Sequence, residues 1–260
     1  MIVFRTAPEE FPMPPFPSKG PETGPLQPAD PEESRKIAIA SEELAMIASP
    51  RSQIAEQFRV LRNSIVTLNP EGAPRTIVVT SALRGEGKTV TTLNLALAMI
   101  ELARTHVLVV DADLHSPSVE RYLNLPRRQG LSELLRGECS IDRAIRATSV
   151  QGLSIVGAGA LPRNPSELLG SERMKTLVAS FKQRFSYILF DSPEAMTISD
   201  ASLLGANSDG IVLVVRLGST PRHYVEQTHN LLEAMGGNVL GTCLTGANEV
   251  DTAARYYAKR

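Results

Sequence analysis

The chain is poor in several features that usually announce a function. Only two cysteines occur among 260 residues, Cys139 and Cys243, far apart and without a CxxC pair. That excludes a structural zinc or iron–sulfur site built within one chain, and it fits a reduced, cytosolic compartment. A formal net charge of −1 gives no global pull toward nucleic acid or anionic membrane, so no nucleic-acid partner is expected. Long apolar runs are missing: Leu93 to Ile100, Val107 to Val110 and Ile211 to Val215 are the longest, much too short to cross a bilayer. The opening stretch, MIVFRTAPEEFPMP, has neither the basic start nor the long apolar core of a signal peptide. The expectation is a cytoplasmic chain with no direct membrane insertion.

What is present is an apolar content of 42%, enough for one substantial core. Residues 1 to 34 hold nine of the 18 prolines, interleaved with Glu, Gly and Ser. Such a segment buries too little apolar surface to offset its ordering entropy, so 1–48 reads as a disordered proline-rich arm and lead-in. From Ser49 the pattern changes. Ile54, Phe58, Leu61, Ile65 and Leu68 recur at spacings of four and three, which predicts an amphipathic helix. Helical periodicity then alternates with β-branched runs at 76–80, 107–111, 153–156, 187–191, 210–215 and 239–244. Helices are expected near 88–103, 131–147, 171–183, 198–207 and 221–235. This alternation implies an α/β fold, a mostly parallel sheet with helices on both faces. The expected division is the arm at 1–48, one catalytic domain at 49–250 and a tyrosine-containing tail at 251–260.

Residues 76–91 read TIVVTSALRGEGKTVT: a strand, a glycine loop, then the start of a helix. Backbone amides of Gly85, Gly87 and the helix start can converge on nucleotide phosphates, with Lys88 reaching the outer ones and the Thr89 hydroxyl ligating Mg²⁺. The expected nucleotide-binding set is Arg84, Gly85, Glu86, Gly87, Lys88, Thr89 and Val90. The loop departs from the simplest pattern at Ala82, where the first glycine is expected. Two strands end in carboxylates: VLVVDAD places Asp111 and Asp113 two residues apart, and YILFD ends in Asp191. At period two, Asp111 and Asp113 can face the same side. Ligands of doubly wound sheets bind at the carboxyl ends of strands, and Mg²⁺ is held by oxygens. Thr89, Asp111, Asp113 and Asp191 are therefore the candidate metal ligands, and ATP with Mg²⁺ the expected cofactors.

These elements resemble the MinD/ParA-like P-loop ATPases, and within them one branch. Leu83 stands where most of that superfamily has a lysine that crosses a dimer to the partner's nucleotide. The branch that lacks it and carries Gly-Glu-Gly-Lys-[Ser/Thr] is that of the bacterial tyrosine autokinases of capsule and exopolysaccharide synthesis. The resemblance spans roughly residues 49 to 257, including NLPRRQGLSELLRGE, GALPRNPSELLGSERM and DSPEAMTISDASLLGANSDGIVLVVRLGST. It implies a protein-tyrosine kinase using MgATP and phosphorylating its own tail in trans. Lys88, Asp111 and Asp113 would be the catalytic residues, Asp111 receiving or orienting the tyrosine proton. The assignment between the two aspartates comes from the resemblance.

Glu56, Arg59 and Arg62 match the family's Glu-x-x-Arg-x-x-Arg helix, which implies a homo-oligomer, in the family a ring. Spacing alone puts the three on one helix flank, compatible with a solvated face or an interface. The family tail carries several tyrosines; here ARYYAKR supplies only Tyr256 and Tyr257 as phosphoacceptors. The resemblance further implies a separate membrane activator protein of polysaccharide export that recruits the chain to the inner face of the membrane. Three departures stand out. Arg84 replaces a proline, either adding a cation to the phosphate site or pointing to solvent. His115 and Ser116 replace two basic residues. Glu194 replaces a second proline, with a surface role favoured over contact with the metal shell. Together with the short tail, the change after Asp113 keeps open an ATP-dependent regulatory switch with little kinase activity. A small-molecule kinase on the same loop is a weaker alternative.

Overall fold

A computed structural model describes residues 2–4, 42–73 and 75–246 of the chain. One eight-stranded sheet is built from β1 (Ile2–Phe4), β2 (Arg75–Ser81), β3 (Val107–Asp111), β4 (Arg146–Ala147), β5 (Leu153–Val156), β6 (Tyr187–Asp191), β7 (Gly210–Arg216) and β8 (Val239–Thr245). Their order is β1-β8-β7-β2-β6-β3-β5-β4. The six inner strands are parallel, and β1 and β4 close the two edges antiparallel. All six β-branched runs of the sequence are these inner strands. β2, β3 and β6 are buried on both faces, which is why they read as continuous apolar runs, whereas β8 alternates buried and half-buried residues.

Alternation along each strand feeds two cores. Val78, Val110, Ile188, Phe190 and Leu213 face one, packed by the helix Glu172–Lys182. Ile77, Val79, Val109, Leu189 and Val212 face the other, packed by the helices Gln53–Thr67 and Lys88–Met99. The helix Lys88–Met99 is buried on nearly every side, because it lies between the sheet and Gln53–Thr67. Ser52 caps Gln53–Thr67 by accepting the Ala55 amide at 3.2 Å. Its apolar stripe is shorter than its periodicity suggests: Leu61 and Ile65 are buried, while Ile54 and Leu68 are exposed.

The structure differs from the sequence reading at several elements. The stretch 131–147 is not one helix. Leu131–Arg136 stops at Gly137, whose φ of 80° is the left-handed conformation that closes a helix. A single turn at Ile141–Ala144 and strand β4 follow. Within the stretch assigned to the arm, Ile2–Phe4 pairs with Gly241–Cys243 of β8. The lead-in is also folded: Ala45–Ala48 is helical and Asn94 fastens it, accepting the Met46 amide at 3.1 Å and donating to the Glu43 carbonyl at 3.1 Å. Residues 5–41 and 247–260 lie outside the described residues, and with them most of the arm and the whole tail.

Candidate functional site

The chain turns from β2 into the helix Lys88–Met99 through a loop at the carboxyl end of the central strands. Gly85 and Gly87 adopt φ of 82° and 95°, a conformation that side-chain-bearing residues avoid. The Glu86 side chain points inward and braces the loop. It accepts the Leu83 amide at 2.7 Å and the Arg216 amide at 3.2 Å, and the Thr220 hydroxyl bonds to it as well. The Thr245 hydroxyl donates to the Glu86 carbonyl at 2.7 Å. Of the expected nucleotide-binding residues, Arg84, Gly85, Gly87, Lys88, Thr89 and Val90 line a cavity of about 540 Å³. Glu86 does not, because its carboxylate is occupied within the loop wall.

Beneath the loop lies a tier of carboxylates. Asp111 and Asp191 are opposite one another in the β3/β6 register, and both are almost fully buried. Asp191 accepts the Thr89 hydroxyl at 2.6 Å and the Thr92 hydroxyl at 3.3 Å. One oxygen of Asp111 accepts the amides of Ser118 and Val119 at 2.9 and 3.0 Å. The other, Oδ1, is buried without a partner. Burial pushes both carboxyls up; for Asp111 the neighbouring Asp191 adds to the shift, and for Asp191 the Thr89 hydroxyl and Lys88 oppose it.

Asp111 and Asp113 differ in burial: Asp111 is almost fully buried at the end of β3, and Asp113 follows where the chain leaves the strand, its charge near enough to help push up both Asp111 and Asp191. β3 ends at Asp111, and Ala112 donates its amide to the Asp191 carbonyl. Asp113 lines the cavity and accepts the His115 and Ser116 amides at 3.2 and 2.8 Å. Among the described residues, no set of three or more His, Cys, Asp or Glu converges to hold a metal by itself.

The departures noted in the sequence gather around this cavity. Arg84 bonds the Ser116 hydroxyl across its wall at 2.9 Å. Glu194 is no surface residue: its carboxylate lies 3.8 Å from the Lys88 ammonium inside the cavity. His115 reaches the fully buried Asp200 at 3.0 Å. Sequence reasoning missed Arg121, Tyr122 and Arg216 as lining residues. Arg216 closes β7 at the carboxyl edge, so the strand-end rule that found Asp191 applies to it equally. Its guanidinium donates to the Gly85 carbonyl at 3.2 Å.

The helix-flank residues lie away from the cavity. Arg59 forks onto Glu101 with bonds of 2.8 to 3.2 Å and touches Glu56 at 3.3 Å. Arg62 bonds the same Glu101 at 2.9 Å and the Ala98 carbonyl at 3.0 Å. Within one chain, both guanidiniums are thus satisfied by the end of the neighbouring helix. Tyr256 and Tyr257 lie outside the described residues. No helix among the described residues is long and apolar enough to cross a membrane.

A family model described as an AAA domain matches residues 74–235. Tyrosine-protein kinase YwqD of Bacillus subtilis (strain 168) is 32% identical over 200 residues, covering 77% of this chain and 84% of that protein. Among solved structures, the kinase domain of Escherichia coli tyrosine kinase ETK superposes with a TM-score of 0.75 at 28% identity, covering 79% of this chain and 80% of that one. The septum site-determining protein MinD complexed with Mg-ADP, from Pyrococcus horikoshii OT3, shares the fold at a TM-score of 0.57 and 24% identity, over 68% and 72% of the two chains.

Proposed function

This chain belongs to the bacterial tyrosine-protein kinases, and on that premise we propose that it transfers the terminal phosphoryl group of MgATP to tyrosines in its own tail, Tyr256 and Tyr257, presented by a neighbouring copy. The observation that carries this reading is the glycine loop seated on a buried carboxylate tier, with one Asp111 oxygen unpartnered. An orphaned buried oxygen is costly unless a ligand completes it, and an all-oxygen tier suits a hard cation. Bound there, Mg²⁺ would supply positive charge that offsets the negative charge of the transferred phosphoryl group. Thr89, Asp111, Asp113 and Asp191 are the oxygens that would hold it, directly or through water.

The chain's own groups do the rest. Amides from Gly85 to Thr89 and the Lys88 ammonium stabilise charge on the phosphoryl group in a partly dry cavity. Tyrosine, with an ordinary pKa of about 10, needs a base at neutral pH. The resemblance assigns that role, receiving or orienting the tyrosine proton, to Asp111. Asp113, on the cavity wall, would assist at the metal.

In this reading the kinase domain is 49–250 and the acceptor tail 251–260, with the proline-rich arm ahead of them. The Glu56/Arg59/Arg62 flank serves a homo-oligomer that brings a tail to a neighbour's cavity. The pathway is capsular or exopolysaccharide synthesis, with a separate membrane protein as activator. Mapping phosphate by mass spectrometry after incubation with MgATP, with and without that activator, tests the proposal. Phosphate on Tyr256 or Tyr257, absent in Lys88→Met, supports it; ATP hydrolysis with unmodified tyrosines in both conditions sinks it.

A further inference from the structure

Glu194 occupies an unusual place for a carboxylate in a phosphate site. Lys88 is the side chain that reaches past the glycine loop toward the outer phosphates, while the loop amides hold the inner ones. The Glu194 carboxylate is 3.8 Å from that ammonium, and the two side chains are only 16% and 9% exposed. It is also held in place: its second oxygen accepts the Thr197 hydroxyl at 3.0 Å. Burial works against its charge, but its own backbone amide, Thr197, Lys88 and Arg84 prevail and keep the carboxyl below the usual range. A fixed negative charge therefore sits at the end of the cavity where a terminal phosphate would bring more.

Elsewhere the cavity wall carries Arg84, Arg121 and Arg216 against one further carboxylate, Asp113. Arg84 bonds the Ser116 hydroxyl and Arg216 the Gly85 carbonyl, both neutral partners, while Arg84 also lies near enough to Glu194 to favour its charge. Inner phosphates keep this attraction. The terminal phosphate meets Glu194 and a Lys88 already partly neutralised.

We propose that Glu194 is a specificity-determining residue that makes triphosphate binding depend on a divalent cation, whereas a nucleoside diphosphate binds with or without one. The inference rests on the nucleotide-site reading above and extends it to which nucleotide the empty site accepts. Glu194 lies three residues beyond Asp191, the last residue of β6, so a divalent cation held there would add positive charge near its carboxylate and screen the repulsion. Two partly buried like charges a few ångströms apart are worth about a tenfold change in affinity or more at a protein-like effective dielectric.

Isothermal titration calorimetry on the full chain, with ADP and a β,γ-imido ATP analogue in EDTA or in millimolar Mg²⁺, tests this. The wild type is expected to favour ADP over the triphosphate by about tenfold or more in EDTA, and to lose that preference in Mg²⁺. Glu194→Gln, which keeps the shape, should narrow the ADP-to-triphosphate ratio in EDTA by about tenfold. Thr197→Val, which frees the carboxylate without removing it, should narrow it less. An unchanged ratio in a folded Glu194→Gln protein, with both nucleotides still binding, overturns the inference alone. Binding of neither nucleotide in either condition overturns the nucleotide-site reading and the inference together.

Discussion

At Asp111, the proposed base, folding and the proposed chemistry can be tested apart. Its charge is buried beside Asp191, yet its Oδ2 anchors the amides of Ser118 and Val119. An asparagine can keep both bonds through its carbonyl oxygen and removes the like-charge contact. Asp111→Asn is therefore expected to leave the melting temperature of the nucleotide-free protein unchanged or raise it. Phosphate transfer to tyrosine should fall by about 10²- to 10⁴-fold, as for loss of a positioned base. Differential scanning fluorimetry beside a mass-spectrometric rate decides both halves; a marked fall in melting temperature would mean that the charge itself holds the loop. The lysine, threonine and three aspartates of the site were legible because each belongs to a motif with fixed spacing. Glu194 was not, since its importance comes from a contact with Lys88 across 106 positions of chain that no local pattern encodes.

Between elements, Asp209 ties three pieces together. It accepts the Thr76 amide and hydroxyl at 2.7 and 2.8 Å and pairs with Lys182 at 2.8 Å, joining the starts of β2 and β7 to the end of the helix Glu172–Lys182. Burial opposes its charge, but Lys182 and Thr76 prevail and lower its pKa. A depressed carboxyl contributes stability that is complete above its unfolded value, about 3.9, and is lost as pH falls through the lower folded value. Asp209→Asn should cost about 1–3 kcal/mol at neutral pH and flatten the acid limb of the unfolding curve below about pH 4, measured by urea titration across pH. The Arg59–Glu101–Arg62 cluster gives a different expectation. The Arg59 and Arg62 side chains are mostly covered and Arg62 also bonds the Ala98 carbonyl, so their double change to alanine should cost about 1–3 kcal/mol without unfolding the chain. If the flank is an interface, analytical ultracentrifugation will show mass moving from oligomer to monomer; an unchanged distribution removes that role. Inner strands such as β2, β3 and β6 were readable because double burial demands unbroken β-branched runs. Helices such as Val119–Tyr122 and Pro165–Leu169 were not, being four and five residues long, too short for a period to emerge. The apolar stripe on Gln53–Thr67 was overread at Ile54 and Leu68 because periodicity gives the direction of a face but not where its cover ends.

Across the whole molecule, the two ends of the sheet are treated alike. β4 and β1 each turn antiparallel against a parallel array, and β1 covers the backbone of β8 from Gly241 to Cys243. An uncovered edge is a template for another strand. Deleting residues 1–4 should raise concentration-dependent self-association, detected by light scattering, while the melting temperature changes little; an equally monodisperse deletion would show that β8 needs no cover. β1 could not be read from sequence because three residues beside a proline-rich stretch carry no alternation.

The bracing of the glycine loop by Glu86, Arg216, Thr220 and Thr245 has a kinetic consequence. Ordering a residue costs about 1–2 kcal/mol, and here folding has already met that cost before any nucleotide arrives. Arrival then requires no loop closure, so its rate is set by diffusion and by the arginines around the entrance. How long a nucleotide stays becomes the adjustable quantity, and exchange of spent for fresh nucleotide is governed by departure.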